Sequence, residues 1–278
     1  MRRLLLVAMM CGAVTGASAA DMPDFLRGSY TEGLSKSSVN WAGVYLGGQA
    51  GRSVSDMNFT NSGQDLLAQL LNNVDLESQF SISKWPLLGT SHGQTTGYGG
   101  FVGYNFQWSE VLIGLELNYT HGNLFGSSAG SQTRVFSYPT DYMSTATAAS
   151  SASMRITDYG SLRVRGGYAF DRYLPYAFAG IALGQANINR DASVGTYYQY
   201  IGSAVPAKPN IGPSFGTLSD NANSHFISGL AAGVGIDVQL YEGLFLRAEY
   251  EFLRFSSSNN TTVNVDVNSV HAGVGYKF

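Results

Sequence analysis

The sequence predicts an all-β fold: an eight-stranded antiparallel transmembrane β-barrel with short periplasmic turns and four long extracellular loops. Two observations carry this. The tetrapeptide Gly-Tyr-x-Phe occurs at 103–106, 167–170 and 275–278, where composition alone would produce roughly 0.1 copies. Each copy closes an alternating run: Tyr98, Gly100, Val102, Tyr104, Phe106; then Leu162, Val164, Gly166, Tyr168, Phe170; then Val270, Ala272, Val274, Tyr276, Phe278. Period-two apolar faces ending in aromatics suit strands that meet a membrane interface. The second observation is that the connections between strand candidates alternate strictly between short and long.

In order, the candidate strands are 41–52, 95–106, 111–121, 156–170, 173–186, 225–240, 244–255 and 270–278. Tight turns fall at 107–110, 171–172 and 241–243. The connections 53–94, 122–155, 187–224 and 256–269 are long and rich in Ser, Asn, Gly and Thr. Short turns on one side and long loops on the other mark outer-membrane barrels, and an even strand number puts both termini in the periplasm. Within the first loop, the leucine spacing over 65–71 predicts a short helix, the one non-β element expected.

Ahead of the strands, Arg2 and Arg3 precede the apolar stretch 4–14 and the small residues Ala17, Ser18, Ala19 and Ala20, the pattern of a secretory signal peptide. The expected organisation is a signal peptide at 1–20, a periplasmic lead-in at 21–40 and the barrel at 41–278. No stretch approaches the ~20 apolar residues that a transmembrane helix requires. The sole cysteine, Cys11, lies inside the signal, with the large Met10 where lipoprotein cleavage wants a small residue, so no disulfide is expected. Losing Arg2 and Arg3 takes the formal charge from −3 to −5. Without basic clustering, nucleic acid is not an expected partner. Charged residues make up only 13% of the chain, which suits a surface that is half lipid.

The strand faces are polarised in the membrane sense. On the third strand Val111, Ile113, Leu115, Leu117 and Tyr119 form the outer set, and Leu112, Gly114, Glu116, Asn118 and Thr120 the inner. On the seventh, Leu246, Ala248, Tyr250 and Phe252 face out while Arg247, Glu249 and Glu251 face in. The fifth is ambiguous: Ala177, Ala179, Ile181 and Leu183 form the preferred lipid face, with Tyr176 and Phe178 as the competing one. A soluble ligand-binding barrel would invert this polarity.

The predicted interior sets Arg163, Arg165, Arg247 and Lys277 against Glu116, Asp237, Glu249 and Glu251. In a lumen just wide enough for side chains, such groups neutralise one another as a plug. The competing reading is a charged constriction guiding a small solute. His92, His121 and His225 fall at strand ends, with His92 and His121 expected to approach at the rim. His225 is expected across the mouth, and His92 and His121 join Tyr197, Tyr198 and Tyr200 of the third loop as candidate heme or ligand contacts. No His/Cys spacing supports a metal site, and His271 reads as a further lumen side chain. No Ser-His-acid set is found, so no enzyme is expected.

Three segments, Asn40-Trp41-Ala42-Gly43-Val44-Tyr45-Leu46-Gly47-Gly48, Gly99-Gly100-Phe101-Val102-Gly103-Tyr104-Asn105 and Val111-Leu112-Ile113-Gly114-Leu115-Glu116, carry a resemblance. With Leu174-Pro175-Tyr176, Arg247-Ala248-Glu249-Tyr250 and the ending His271-Ala272-Gly273-Val274-Gly275-Tyr276-Lys277-Phe278, the chain resembles the opacity-like, eight-stranded outer-membrane proteins of alphaproteobacteria. That family includes immunogenic surface antigens and hemin-binding proteins. The resemblance implies a Gram-negative envelope protein in outer-membrane lipid, with loops that meet host or surface molecules. The spacing Val274, Tyr276, Phe278 looks like the signal that barrel-assembly machinery recognises. The expected role is envelope structure and surface interaction, with no cofactor; the alternative is a narrow porin or a hemin-binding or uptake protein.

Overall fold

Three tight reversals, at 109–110, 171–172 and 242–243, fold the chain into hairpins at one end of the molecule. Each uses a positive φ, at Ser109, Asp171 and Gly243, the backbone state that two-residue hairpin turns require. A computed structural model describes residues 39–72, 74–256 and 263–278. The predicted signal peptide, most of the lead-in and 257–262 of the fourth predicted loop lie outside the described residues.

The strands are β1 (Gly43–Asn58), β2 (Thr90–Trp108), β3 (Val111–Phe136), β4 (Tyr142–Tyr168), β5 (Tyr173–Tyr200), β6 (Ile211–Tyr241), β7 (Leu244–Ser256) and β8 (Asn264–Lys277). They form a closed antiparallel barrel in sequence order. The ring closes between β1 and β8, from Tyr45↔Lys277 to Asn58↔Asn264. Around it the outer sets of the third and seventh strands are exposed, Leu115 at 53% and Leu117 at 56% among them, with Phe252 half-buried. The fifth strand resolves in favour of the preferred face, with Tyr176 and Phe178 turned inward and buried. Arrayed on a cylinder, these apolar faces make the belt that lipid covers.

The strands outrun their expected bounds: β1, β2 and β8 by five or six residues each, to Asn58, Thr90 and Asn264, and four others by far more. The segments 122–155 and 187–224, read from sequence as loops, are mostly ladder: β3 and β4 pair as far as Phe136↔Ser144, and β5 and β6 as far as Tyr198↔Ile211. Two physical causes hid them. The inward set of upper β4 is Ser144, Ala146, Ala148, Ser150, Ala152 and Met154, all buried yet mostly small. In addition, β4 and β6 each carry an extra residue, where the register shifts between Ile156 and Asp158 and where β6 passes Ser224. An inserted residue reverses the inside–outside phase. On β4 the buried positions are even up to Ile156 and odd from Tyr159. The predicted strand starts, 156 and 225, coincide with these two irregularities.

Beyond the barrel rim, β3 to β6 therefore continue as a raised four-stranded sheet. Loop one, 59–89, folds over its inner face. It contains α1 (Gln64–Leu70), α2 (Asp75–Phe80) and a 3₁₀ turn (Ile82–Lys84), so the expected helix is present and the two further helical segments were not anticipated. Leu66, Leu67, Leu71, Leu76, Ile82 and Trp85 pack there against Ala146, Ala148, Ala192 and Val194.

Candidate functional site

The lumen is filled in storeys. At the turn end Trp41, Tyr45, Phe101, Leu112, Leu174 and Phe245 form an aromatic cap, with Trp41 edge-on to Phe245 at 5.8 Å. Tyr45 can lie across the strand beside it because Gly103 has no Cβ; one built there would sit 2.3 Å from the Tyr45 hydroxyl.

Above the cap is the ion network. Arg163 Nη2 lies 2.5 Å from Glu116 Oε1 and its Nη1 2.8 Å from Glu249 Oε1 and 3.3 Å from Glu251 Oε1. Arg165 reaches Asp237 at 2.7 Å and Glu116 at 3.2 Å. Arg247 reaches Glu116 at 2.8 Å and Asp237 at 2.9 Å. The Tyr45 hydroxyl donates to Glu116 (2.7 Å) and the Tyr176 hydroxyl to Glu249 (2.8 Å). Each guanidinium also lies over a ring: Arg163 over Phe178 at 4.1 Å, Arg165 over Tyr176 at 4.0 Å and Arg247 over Phe101 at 3.8 Å. Charges this deep persist because every one is paired and hydrogen-bonded.

Lys277 does not join them. It shares the inward phase, but at the last rung of β8 its Nζ donates to the Asn40 carbonyl at 2.6 Å instead. The network is thus three guanidiniums against four carboxylates. His271, expected only as lumen filling, stands beside the fourth, with Nε2 3.5 Å from Glu251 Oε2.

A thin polar layer follows, with Gln49 donating to Asn118 (3.2 Å) and Ser53 bonded to Ser269 (2.7 Å). Then the interior turns apolar. Met57, Phe59, Leu124, Met154, Ile156, Ile188, Leu253, Phe255, Val265 and Val267 belong to one buried cluster. The polar lumen expected from the lower strands is confined to the turn half; the loop half is packed like a soluble core.

The residues of the apparent assembly signal lie on the outer surface of β8 at the turn end. Val274, Tyr276 and Phe278 are exposed, Tyr276 meets Phe278 at 5.1 Å, and the Phe278 N–H donates to the Val44 carbonyl at 2.9 Å. Tyr104, Phe106, Trp108, Tyr168 and Phe170 are likewise exposed outside the barrel at this end, an aromatic girdle of the interfacial kind.

The candidate heme or ligand contacts do not converge. His121 sits opposite Tyr98 on β2, six residues along from His92, or about 20 Å. Because β2 starts earlier than expected, His92 lies higher, bonded to Asp56. The His121 Nδ1–H donates to Asp158 Oδ1 at 2.8 Å, and Tyr119 donates to the same oxygen at 2.7 Å. His225 pairs with Ala186 on the far side. Tyr197, Tyr198 and Tyr200 occupy β5 rather than a loop, so Tyr197 takes the opposite phase from Tyr198 and Tyr200. Tyr198 packs towards loop one, where burial first and the charge of Asp75 next push its hydroxyl pKa up. Tyr200 lies edge-on to Tyr142 at 5.3 Å. Among the described residues no group of three or more His, Cys, Asp or Glu is placed to hold a metal ion.

One site escaped sequence reasoning. Arg190, an inward residue of upper β5, binds both oxygens of Asp65 on α1 at 2.9 and 3.0 Å, the Ser62 carbonyl at 2.8 Å, and Asp220 on β6. It fastens loop one to the raised sheet. Its partners lie 125 and 30 positions away, and nothing local in the sequence joins them.

A closed ring of eight antiparallel strands, apolar outside and packed inside, defines an outer-membrane β-barrel protein. The chain belongs to the family described as outer membrane protein beta-barrel domain, whose model matches residues 5–278. It is 25% identical over 186 residues to the 25 kDa outer-membrane immunogenic protein of Brucella canis, covering 65% of this chain and 64% of the relative. It is 24% identical to the 22 kDa outer membrane protein of Rhizobium leguminosarum bv. viciae, covering 68% and 70%. The chain thus spans a little under two thirds of the length of the Brucella relative. These are alphaproteobacterial outer-membrane proteins, as the resemblance implied. Among solved structures, Neisserial surface protein A matches at 15% identity and a TM-score of 0.36, covering 85% of this chain and 98% of that one. The Yersinia pestis attachment invasion locus protein, Ail, matches at 13% and 0.30, covering 84% and 99%.

Proposed function

We propose that the protein is a non-conducting, non-enzymatic barrel whose role is envelope structure and surface interaction through its loop end. The observation that carries this is the filled lumen: an ion network sealed by aromatics on one side and an apolar core on the other. In this reading residues 1–20 are a signal peptide, 21–40 a periplasmic lead-in and 41–278 the barrel. The turn end and both termini face the periplasm, and the raised sheet with loop one stands outside the cell. Val274, Tyr276 and Phe278 serve the barrel-assembly machinery, outer-membrane lipid covers the belt, and host or surface molecules meet the raised sheet. The word "immunogenic" in the Brucella relative's name is in keeping with such exposure. No cofactor is assigned.

The rival, a narrow porin or hemin-uptake protein, requires a continuous path or converging axial ligands. The test is planar-bilayer recording of the refolded protein, with hemin titrated into the same preparation. Little or no steady conductance and no saturable change in the hemin spectrum are expected. A large, stable, ion-selective conductance would defeat the structural reading.

A further inference from the structure

The raised sheet has two margins, and the chain treats them differently. Loop one runs along the β3 margin: the Gly89 N–H donates to Ser128 Oγ at 2.9 Å, and Phe80 stacks on Phe136 at 4.0 Å. Arg134 lies over the Trp85 ring at 4.6 Å. The Leu87 carbonyl comes so near Gly130 that a Cβ there would lie 2.0 Å from it. That margin is covered. On the other side, β7 pairs with β6 only between Ser228↔Ser256 and Tyr241↔Leu244. Among the described residues, 211–227 of β6 therefore has β5 on one flank and no strand on the other.

An uncovered strand edge presents a row of backbone donors and acceptors, and proteins ordinarily blunt such edges with lysine, proline or a bulge. Here Pro213 guards the tip and the irregularity at Ser224 guards the base. Between them 214–222 holds no lysine and no proline, and Asp220 is its one charged residue. That stretch offers about 30 Å of edge. Phe215, 78% exposed, lies near its start.

The charge along this edge has one sign. On the inner face is a cavity of about 450 Å³ lined by Asp65, Gln69, Arg190, Asp220 and His225, among others. Arg190 is 3% exposed, whereas the side chains of its two carboxylate partners stay open to solvent, Asp65 at 30% and Asp220 at 43%. The cation is sunk and the anions line the opening. On the outer face Asp191 adds a third carboxylate, accepting from Ser219 Oγ at 2.6 Å.

We propose that the 211–227 edge of β6 receives an extended polypeptide segment as an added strand, with lysine or arginine side chains at alternate positions, all turned to the inner face, meeting Asp65 and Asp220. The backbone ladder supplies affinity and the carboxylates select basic side chains. This rests on the surface-interaction reading and names the chemistry of its partner.

The experiment uses the full chain in lipid nanodiscs and three short fluorescent peptides: alternating lysine and valine, the same peptide with glutamate for lysine, and the lysine peptide N-methylated at every second amide. Saturable binding of the first is expected, with the other two weaker by about tenfold or more, since one loses the charge match and the other the ladder. Amide-exchange protection should rise along 214–222. Equal binding of the N-methylated peptide would reduce the contact to charge alone and overturn the added strand, as would protection appearing elsewhere. Failure of the lysine peptide together with concentration-dependent dimerisation through 211–227 would reassign the edge to a second copy of the chain. If cells displaying the protein adhere to immobilised host matrix while the peptide fails, the edge proposal falls and the broader surface reading stands.

Discussion

Glu116 and Arg163 face each other directly across β3 and β4, and the same glutamate also carries Arg165 and Arg247 on its second oxygen. One carboxylate is therefore the hub of three buried guanidiniums. Glu116→Gln should cost about 3–5 kcal/mol, the usual penalty for stranding a buried charge. Glu251→Gln should cost less, because Glu251 meets a single guanidinium, Arg163 at 3.3 Å, beside Ser161 at 3.4 Å and His271 at 3.5 Å. Urea titration of refolding in lipid vesicles checks the order; equal losses would deny the hub.

Polarity reverses along the outer surface of β3, from Leu115 and Leu117 in the belt to Ser131 and Thr133 on the raised sheet. Leu115→Arg should destabilise by about 2–4 kcal/mol, as an arginine near the bilayer midplane does. Ser131→Arg should fall within about 0.5 kcal/mol of the parent. The same titration compares them.

Protease on intact cells should cut the tips at 137–141 and 201–210, where Val205 is 96% exposed, and spare Thr145 and Tyr198, which are held in ladders. In the Arg190→Met variant, new cuts should appear within 59–89 because the tether to Asp65 and the Ser62 carbonyl is gone. Mass mapping of the fragments reads both outcomes. Cutting confined to 171–172 would reverse the orientation proposed for the barrel.

Deleting Phe278 should lower the amount of protein in the outer membrane and leave export intact, as quantified by fractionation and immunoblotting. The residue contributes an exposed ring and one backbone bond to Val44. Its loss removes little from the fold and one full position from the apparent assembly signal. Unchanged outer-membrane levels would remove that role.

Much of the lower barrel was legible because period two with large apolar residues is a strong signal: the outer sets of β3 and β7 and the three lumen arginines all follow from it. Periodicity yields a face but not a height. Lys277 lies on the inward phase yet one rung too low to meet the network, and His92 one level too high to meet His121. The raised sheet was illegible for a different reason. The inward residues of upper β4 are mostly alanines and serines whose hydropathy barely differs from that of their neighbours, and extra residues in β4 and β6 reverse the alternation where the sheet begins. The Arg190 site needed three segments brought together by tertiary structure.

The reversal of polarity along β3 to β6 also works as a waterline. A barrel greasy along its whole height can bob or tilt in a bilayer at modest cost, fractions of a kcal/mol per Å. This one carries grease outside below the mark and inside above it. Sinking by two to four residues would draw His121 and Asn123, the next outward residues of β3 above Tyr119, into hydrocarbon, and rising by as much would strand Leu117 and Tyr119 in water. The molecule is thus trimmed to a single draught, and the upper stretch of β6, which among the described residues has a strand on one flank alone, is carried at a constant freeboard above the lipid.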